Sequence, residues 1–226
     1  MKKIPRIFAV VMAISLALPL AAGAEQNLDA QVIVDQSKTV LDQLRTKSYW
    51  QYPEDYIKRC AGLAIIPGMV EGGFVLGAAY GKGVLLSRRE GKWMGPAFIY
   101  TASGSLGLQI GVQSVDLVLI VMGQKTMDSF LKSKFKLGAD VAAAAGPVGA
   151  QASAATEIML KGGIFTYAMS KGLFAGVSLE GAYLGSHYDL NRAYYKTTSS
   201  PEEILSGQIS PPPSAQTLIE ELEKIK

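Results

Sequence analysis

The side chains in this sequence that could most readily bind a charged ligand are basic, and they form two groups. One lies in a glycine-rich stretch and includes a tryptophan, and the other has lysines at alternate positions. The candidates are Lys82, Arg88, Arg89, Lys92, Trp93, Lys132, Lys134 and Lys136. A lysine or arginine near an anionic membrane contributes about 1 kcal/mol, so a group of them can hold a protein there reversibly. Tryptophan favours the membrane interface. These residues are therefore candidates for binding anionic headgroups.

Each group also has a purely structural interpretation. Lysines at period two share one face of an extended segment, where they protect a solvated strand edge from aggregation. The arginines and Lys92 could be solvated loop residues beside a packed Trp93. The sequence leaves both interpretations open.

Catalytic chemistry has little support. The chain has one histidine, His187, and one cysteine, Cys60, so an ordinary His/Cys zinc site cannot be assembled. We expect Cys60 to be a small buried hydrophobe and Asp116 to make a structural hydrogen bond within an apolar strand. The segment Gly81-Lys82-Gly83 lacks the spacing of a phosphate-binding loop, and no G-x-S-x-G elbow is present. We predict no catalytic residue, no metal and no cofactor.

Residues 1–24 have the pattern of a secretory signal peptide. Three basic residues precede an apolar run that ends in Ala22-Gly23-Ala24. Without this segment the chain has 19 basic and 19 acidic residues, so the charge does not favour a nucleic-acid partner. We expect an exported protein, located in the periplasm, on the periplasmic face of an envelope membrane, or secreted.

Two helical regions flank a glycine-rich centre. Residues 25–61 form an N-terminal helical segment. An amphipathic helix ends near Lys47, and a short helix starts at Pro53. The apolar stripe of the first helix is predicted to contain Leu28, Val32, Val40, Leu41 and Leu44. The first helix either packs across the core or lies on a membrane. Ser200-Pro201-Glu202-Glu203 predicts the start of a helix, with Ser200 as its cap. Residues 208–226 form a proline-rich spacer and a C-terminal helix with an apolar stripe.

Residues 62–207 form the predicted β core. The candidate strands are short and separated by glycine-containing turns, which favours antiparallel hairpins. They are Leu63–Ile66, Phe74–Tyr80, Val84–Arg88, Trp93–Thr101, Leu106–Val112, Val115–Met122, Ile164–Ser170 and Leu173–Leu184. Glycine inside strands allows a sheet to bend. The sequence therefore predicts an α+β fold: a strongly curved, mostly antiparallel sheet or barrel-like core with an N-terminal amphipathic helix and short C-terminal helices.

Four blocks of the sequence, in this order, resemble the SYLF domain family: GKGVLLSRREGKWMGPAFIY, GSLGLQIGVQSVDLVLIVM, KFKLGADVAAAAGPVGAQ and FTYAMSKGLFAGVSLEGAYL. The resemblance extends over roughly Val34 to Gly207. It implies a non-enzymatic lipid-binding module, also described as actin-binding, to which basic residues and an N-terminal amphipathic helix contribute. The matching basic positions are Lys82, Arg88, Arg89, Lys132, Lys134 and Lys136.

We therefore expect binding to an anionic phospholipid membrane. The alternative is an envelope structural or protein-interaction module, for which residues 211–226 could dock a protein partner. A hydrolase or a carrier with an enclosed apolar pocket has the least support. Actin is an unlikely partner for an exported protein.

Overall fold

The computed structural model describes residues 6–47, 50–73, 76–106, 111–130, 135–147, 157–170, 173–176 and 179–225. Seven helices flank and interrupt the sheet in this part of the chain. They are α1 Arg6–Arg45, α2 Gln51–Ile57, α3 Gln124–Phe130, α4 Glu157–Gly162, α5 Tyr188–Tyr195, α6 Pro201–Leu205 and α7 Gln216–Glu223. The nine described strands are β1 Gly62–Gly73, β2 Leu76–Arg89, β3 Lys92–Leu106, β4 Gly111–Val121, β5 Phe135–Lys136, β6 Ala143–Ala145, β7 Ile164–Ser170, β8 Leu173–Gly176 and β9 Tyr183–Ser186.

The strands form one curled, half-barrel sheet in the order β5-β9-β3-β2-β1-β4-β7-β6, and β8 pairs with β7. Among these pairs only β6 with β7 is parallel. The central order β3-β2-β1-β4 is a Greek key, because β4 pairs with β1 and not with β3. The predicted fold class, a curved and mostly antiparallel sheet with helices at its ends, is confirmed.

The central strands are longer than predicted. The glycines 81 and 83 were expected to mark a turn, but both lie inside β2. A Cβ on Gly83 would lie 2.2 Å from the carbonyl oxygen of Ile65, so glycine here permits close contact between strands. In the same way, the predicted turn at 103–104 lies inside β3. The predicted strand Leu106–Val112 contains residues 107–110, which lie outside the described residues.

The sheet has an apolar core on each face. One face packs against α1, α2, α5 and α7, and its core includes Val84, Phe98 and Val118. The other face contacts α3, α6 and the edge strands, and its core includes Leu85, Leu117 and Phe130. The strand β4 is thus covered on both faces along its C-terminal half, as its unbroken apolar sequence predicts.

The helix α1 extends from Arg6 to Arg45, across the predicted cleavage point at Ala24. That cleavage and the export it implies stay predictions. From Ala30 to Leu44 the helix buries an apolar face on the sheet, which confirms that it is amphipathic and packed on the core. The predicted stripe was wrong at Leu28 and Val32, which are exposed because the buried face turns toward Ile33 and Val34.

The C-terminal helices also belong to the core. The helix α6 has the predicted cap, in which Ser200 accepts the N–H of Glu203 at 3.2 Å and Glu203 accepts the N–H of Ser200 at 2.8 Å. The apolar stripe of α7, including Leu218 and Leu222, is fully buried. It therefore cannot dock a partner without leaving the core, which removes the reason for expecting a docking site in residues 211–226.

Candidate membrane-binding surface

The first predicted basic group does not form one cluster. Arg88, Arg89, Lys92 and Trp93 lie where β2 turns into β3, around the Glu90-Gly91 turn. Lys82 is seven residues further back on β2, on the order of 23 Å along the strand. The hairpin turn and the position of Lys82 in the middle of β2 are therefore separate candidates.

At the turn, Arg88 and Trp93 have structural contacts. Nη1 of Arg88 donates to the carbonyl oxygens of Ile57 at 3.1 Å and Lys58 at 2.5 Å, which attaches the hairpin to the end of α2. The guanidinium carbon lies 5.6 Å from the centre of the Trp93 ring. Trp93 is only 6% exposed and belongs to the helix-side core. Of the two interpretations that the sequence left open, an interfacial anchor and a packed tryptophan, the structure supports the packed tryptophan.

The other two residues at this turn differ in exposure. Lys92 is exposed and pairs across the hairpin with Arg89. Nε of Arg89 is buried and has no hydrogen-bond partner among the described residues. At this end, Lys92 is the predicted residue most open to an outside anion.

The second predicted group is seen only at Lys136, because Lys132 and Lys134 lie outside the described residues. Lys136 is in the edge strand β5, where its Nζ lies 5.5 Å from the centre of the Tyr183 ring. Its backbone N–H donates to Oδ2 of Asp140 at 2.7 Å. Within the described chain, no carboxylate forms an ion pair with the ammonium of Lys136 or with that of Lys82.

The absence of an ion-pair partner in the described chain distinguishes Lys82 and Lys136 from three basic residues in the helical regions. Lys38 pairs with Asp42 at 2.6 Å, Arg45 with Glu221 at 2.9 Å and Lys58 with Glu54 at 3.1 Å. Those charges are compensated within the protein. The charges of Lys82 and Lys136 are available to an anion.

Strand pairing connects Lys136 to an exposed row of side chains that sequence reasoning missed. Directly paired residues lie on the same face of a sheet. One row across six strands runs Ser114, Val70, Tyr80, Ala102, Tyr183 and Lys136. A second row, two residues nearer the strand ends, runs Val112, Gly72, Ala78 and Gly104. We call these two rows the open face.

The open face is apolar and exposed. Val112 is 80% exposed, and Val70, Tyr80 and Tyr183 are about half exposed, at 51%, 48% and 47%. Lys82 lies next to these rows, on the side of the core, and pairs with Tyr100 of β3. The ring of Tyr100 stacks on that of Tyr80, with 6.5 Å between the ring centres. The alternation of Ala78, Tyr80 and Lys82 was visible in the sequence. Nothing in the sequence showed that the helices would leave these residues uncovered.

A small cleft lies between α1 and the middle of strands β1 and β4. It has a volume of about 200 Å³ and is lined by Gln36, Thr39, Val40, Gln43, Pro67, Gly68 and Asp116. The carboxylate of Asp116 accepts the backbone N–H of Gly68 at 2.7 Å, which confirms its predicted structural hydrogen bond. An open cleft of this size and polarity does not revive the carrier hypothesis, which needs a closed apolar cavity of several hundred Å³.

Cys60 and His187, the two residues with the greatest catalytic potential, have structural roles. Cys60 is buried as predicted, and burial raises the pKa of its thiol to about 12, which leaves it protonated and unreactive at neutral pH. His187 caps α5, with Nδ1 accepting the N–H of Leu190 at 3.5 Å. Burial lowers the pKa of His187, and the charge of Lys82 lowers it further.

The described residues hold neither a metal-binding cluster nor a membrane-spanning helix. These residues contain no group of three or more His, Cys, Asp or Glu side chains placed to hold a metal ion. None of the described helical segments combines the length and apolar character needed to cross a membrane.

The fold is a curled half-barrel sheet with helices at its ends and with an exposed apolar and basic face. Residues 102–225 match the family model of the Las17-binding protein actin regulators, Ysc84. The match extends over more than half of the chain. The chain belongs to this family, which confirms the SYLF resemblance.

Curated relatives are found in yeast and mammals. The chain is 38% identical over 175 residues to "LAS seventeen-binding protein 3" of Saccharomyces cerevisiae, which is 76% of this chain and 38% of that protein. It is 37% identical over 175 residues to "Protein YSC84" of the same yeast, with 76% and 37% of the two chains covered. It is 34% identical over 173 residues to "SH3 domain-containing YSC84-like protein 1" of Homo sapiens, covering 76% of this chain and 50% of that one. The chain thus matches half or less of the length of each relative.

Proposed function

We propose that this protein is a non-enzymatic domain that binds reversibly to the surface of an anionic phospholipid membrane. After export, that membrane would be one of the cell envelope. The observation that carries the proposal is the pair of ammonium groups on Lys82 and Lys136. Both lysines are half-buried, lie beside Tyr100 and Tyr183, and form no ion pair with a carboxylate in the described chain. Each contributes about 1 kcal/mol near an anionic surface. Lys132 and Lys134 precede Lys136 in sequence and would add to this charge.

The test is vesicle binding by protein purified from cells that express the full chain. Mass spectrometry of this protein defines its N-terminus and so tests the predicted cleavage after Ala24. We expect the protein to co-sediment at low salt with vesicles that contain phosphatidylglycerol, and to remain in solution with phosphatidylcholine alone. Binding should weaken as salt is added, because exposed charges are screened. Equal binding to neutral vesicles would contradict the proposal.

A pair of variants with the same charge change tests whether the edge strand β5 or the turn between β2 and β3 binds the membrane. Lys136→Glu should weaken binding by about five-fold or more, the equivalent of about 1 kcal/mol. Lys92→Glu changes the net charge equally, but at the far turn. An equal loss in both variants would show that net charge alone decides binding. A loss confined to Lys92→Glu would transfer the site to the far turn.

A protein partner is the second candidate function, because the yeast relative is named for binding another protein. An envelope protein would then take the place of the membrane. Crosslinking in cells that recovers one stoichiometric protein, together with absence of vesicle binding, would favour this alternative.

A further inference from the structure

The open face has a graded polarity along the strands. On β2, the side chains that point to this face are Ala78, Tyr80 and Lys82, in that order from the strand end inward. Adjacent strands repeat the trend, with Val112 nearest the end of β4 and Tyr100 beside Lys82 on β3. Apolar, aromatic and basic groups therefore follow one another toward the core.

The strand ends are also almost free of charge. Residues 70–81 and 101–115 contain a single charged side chain, Glu71. Glu71 accepts a hydrogen bond from Nε2 of Gln113 at 2.6 Å, and both residues alternate with the residues of the open face, so they point to the opposite side of the sheet. The apolar end of the open face thus carries no charge of its own.

We propose that the open face is the part of the protein that enters the interfacial layer of an anionic bilayer, and this inference rests on the proposed function. Val112, in the row nearest the strand ends, enters among the first methylene groups, and Val70, in the next row, lies at the border between these groups and the headgroups. Tyr80 and Tyr183 lie at the level of the headgroups, where aromatic rings with a polar tip are favoured. Lys82 and Lys136 contact the lipid phosphates.

The dimensions of the open face agree with this placement. Four residues separate Lys82 from Ala78, which is on the order of 13 Å along a strand. The polar layer on each side of a bilayer is roughly 5–8 Å thick. With Lys82 at the phosphates, the row that contains Val112 reaches just below the headgroups. Among the described residues, β3 beyond Ala102 is paired on one side only, so unpaired backbone groups prevent deeper entry.

A second copy of the chain complements this face less well. It would bring the same uncompensated lysines. The carboxylates of Asp116 and Asp140, which adjoin the face, already accept the backbone N–H groups of Gly68 and Lys136. An anionic bilayer offers both the apolar layer and the opposite charge. Dimerisation through this face is therefore one of the outcomes that would overturn the proposal.

The first experiment places a fluorescent probe on the open face. Val112→Cys is labelled with an environment-sensitive maleimide dye, and Glu90→Cys at the far turn is the control. The native Cys60 does not compete for the dye, because it is buried and its pKa is raised to about 12. On addition of phosphatidylglycerol vesicles we expect a blue shift and a rise in emission at position 112, with neither at position 90.

The second experiment uses a matched pair of valines. Val70 on the open face and Val32 on α1 are exposed to the same extent, at 51% and 50%. Threonine has nearly the shape of valine and a high strand propensity, so Val70→Thr removes apolar character and leaves the strand intact. We expect Val70→Thr to weaken vesicle partitioning on the order of three- to ten-fold, since a methyl group no longer leaves water. Val32→Thr should have a smaller effect.

The outcomes separate this inference from the proposed function. Vesicle binding by the wild type without a spectral change at position 112 overturns the inference and leaves lipid binding intact. If vesicle binding weakens in Val32→Thr and not in Val70→Thr, the inference is also overturned while lipid binding stands, and the membrane contact is assigned to α1. No vesicle binding at all overturns both. A concentration-dependent dimer in light scattering that Val70→Thr disrupts, without a spectral response to vesicles, assigns the face to a second copy.

Discussion

Strand β4 carries Val118 and Val112 on the same face of the sheet, and the two have opposite environments. Val118 is buried beneath the helices, whereas Val112 is 80% exposed. The same contrast occurs on β3, where Phe98 is buried and Ala102, four residues further along the same face, belongs to the open face. The helices thus cover only one half of a continuous strand surface. An apolar residue in the covered half contributes to stability, and one in the open half is free to contribute to binding.

The largest expected effect compares two aromatic residues on this face. Phe98→Ala should lower the free energy of unfolding by about 3–5 kcal/mol, because it leaves a cavity under Tyr194, whose ring centre lies 5.1 Å from that of Phe98. Tyr80→Ala should cost about 1 kcal/mol or less, since the ring is half exposed and contacts mainly Tyr100. Urea denaturation followed by circular dichroism measures both. Equal costs would show that the open half is as important to stability as the covered half.

A smaller effect is expected from a pair of glycines. Gly83→Ala should destabilise by about 1–3 kcal/mol, because the new Cβ would lie 2.2 Å from the carbonyl oxygen of Ile65 and the strands must separate. Gly104 has nothing within 4 Å of the corresponding position. Gly104→Ala should therefore leave the melting temperature unchanged or slightly higher. If Gly104→Ala proved as damaging as Gly83→Ala, the strand ends would not be open.

The smallest effect depends on pH and concerns His187, at the border between the two halves. Its pKa is lowered by burial and by Lys82, so the unfolded chain takes up a proton more readily than the folded protein. The stability from neutral His187 is complete above the unfolded value of about 6.5 and is lost as the pH falls through the lower folded pKa. Protonation also prevents Nδ1 from accepting the N–H of Leu190. Loss of this helix cap should lower the free energy of unfolding by about 1 kcal/mol.

Unfolding measured from pH 8 to pH 5 tests this prediction. In the wild type, part of the stability should disappear below about pH 6.5. His187→Asn keeps a capping acceptor but does not titrate, so its stability should depend less on pH over this range. In Lys82→Gln, an NMR titration should show a higher pKa for His187, since a neighbouring positive charge is gone. An unchanged pKa would mean that Lys82 is too distant to act on His187.

Local signals in the sequence predicted much of the fold. The Ser200 cap, the apolar run of β4 and the burial of Cys60 were predicted because each depends on adjacent residues or on simple residue chemistry. The strand lengths were not, because Gly83 is a contact between strands and its sequence neighbours resemble a turn. The role of Trp93 depends on Arg88 and the end of α2, some thirty residues away in the chain.

The open face could not have been predicted for a related reason. The alternation in β2 shows which residues share a face, but the covering of that face is decided by α1, α5 and α7, which lie far away in sequence. Val84 and Tyr80 are both suited to burial by residue type, and only the positions of the helices separate them. Among the predicted basic residues, Lys82 and Lys136 adjoin the open face, and Lys92 does not.

The ion pair between Arg45 of α1 and Glu221 of α7, with Nη1 and Oε2 2.9 Å apart, joins residues 176 positions apart in the chain. Leu218 and Leu222 of α7 complete the same core that α1 begins. A topology that closes its core with contacts of such high sequence separation folds slowly, since a long loop must close before these contacts form. On the ribosome, the helix-side core therefore cannot be sealed until α7 has been synthesised, so α1 must wait for a segment that is made much later.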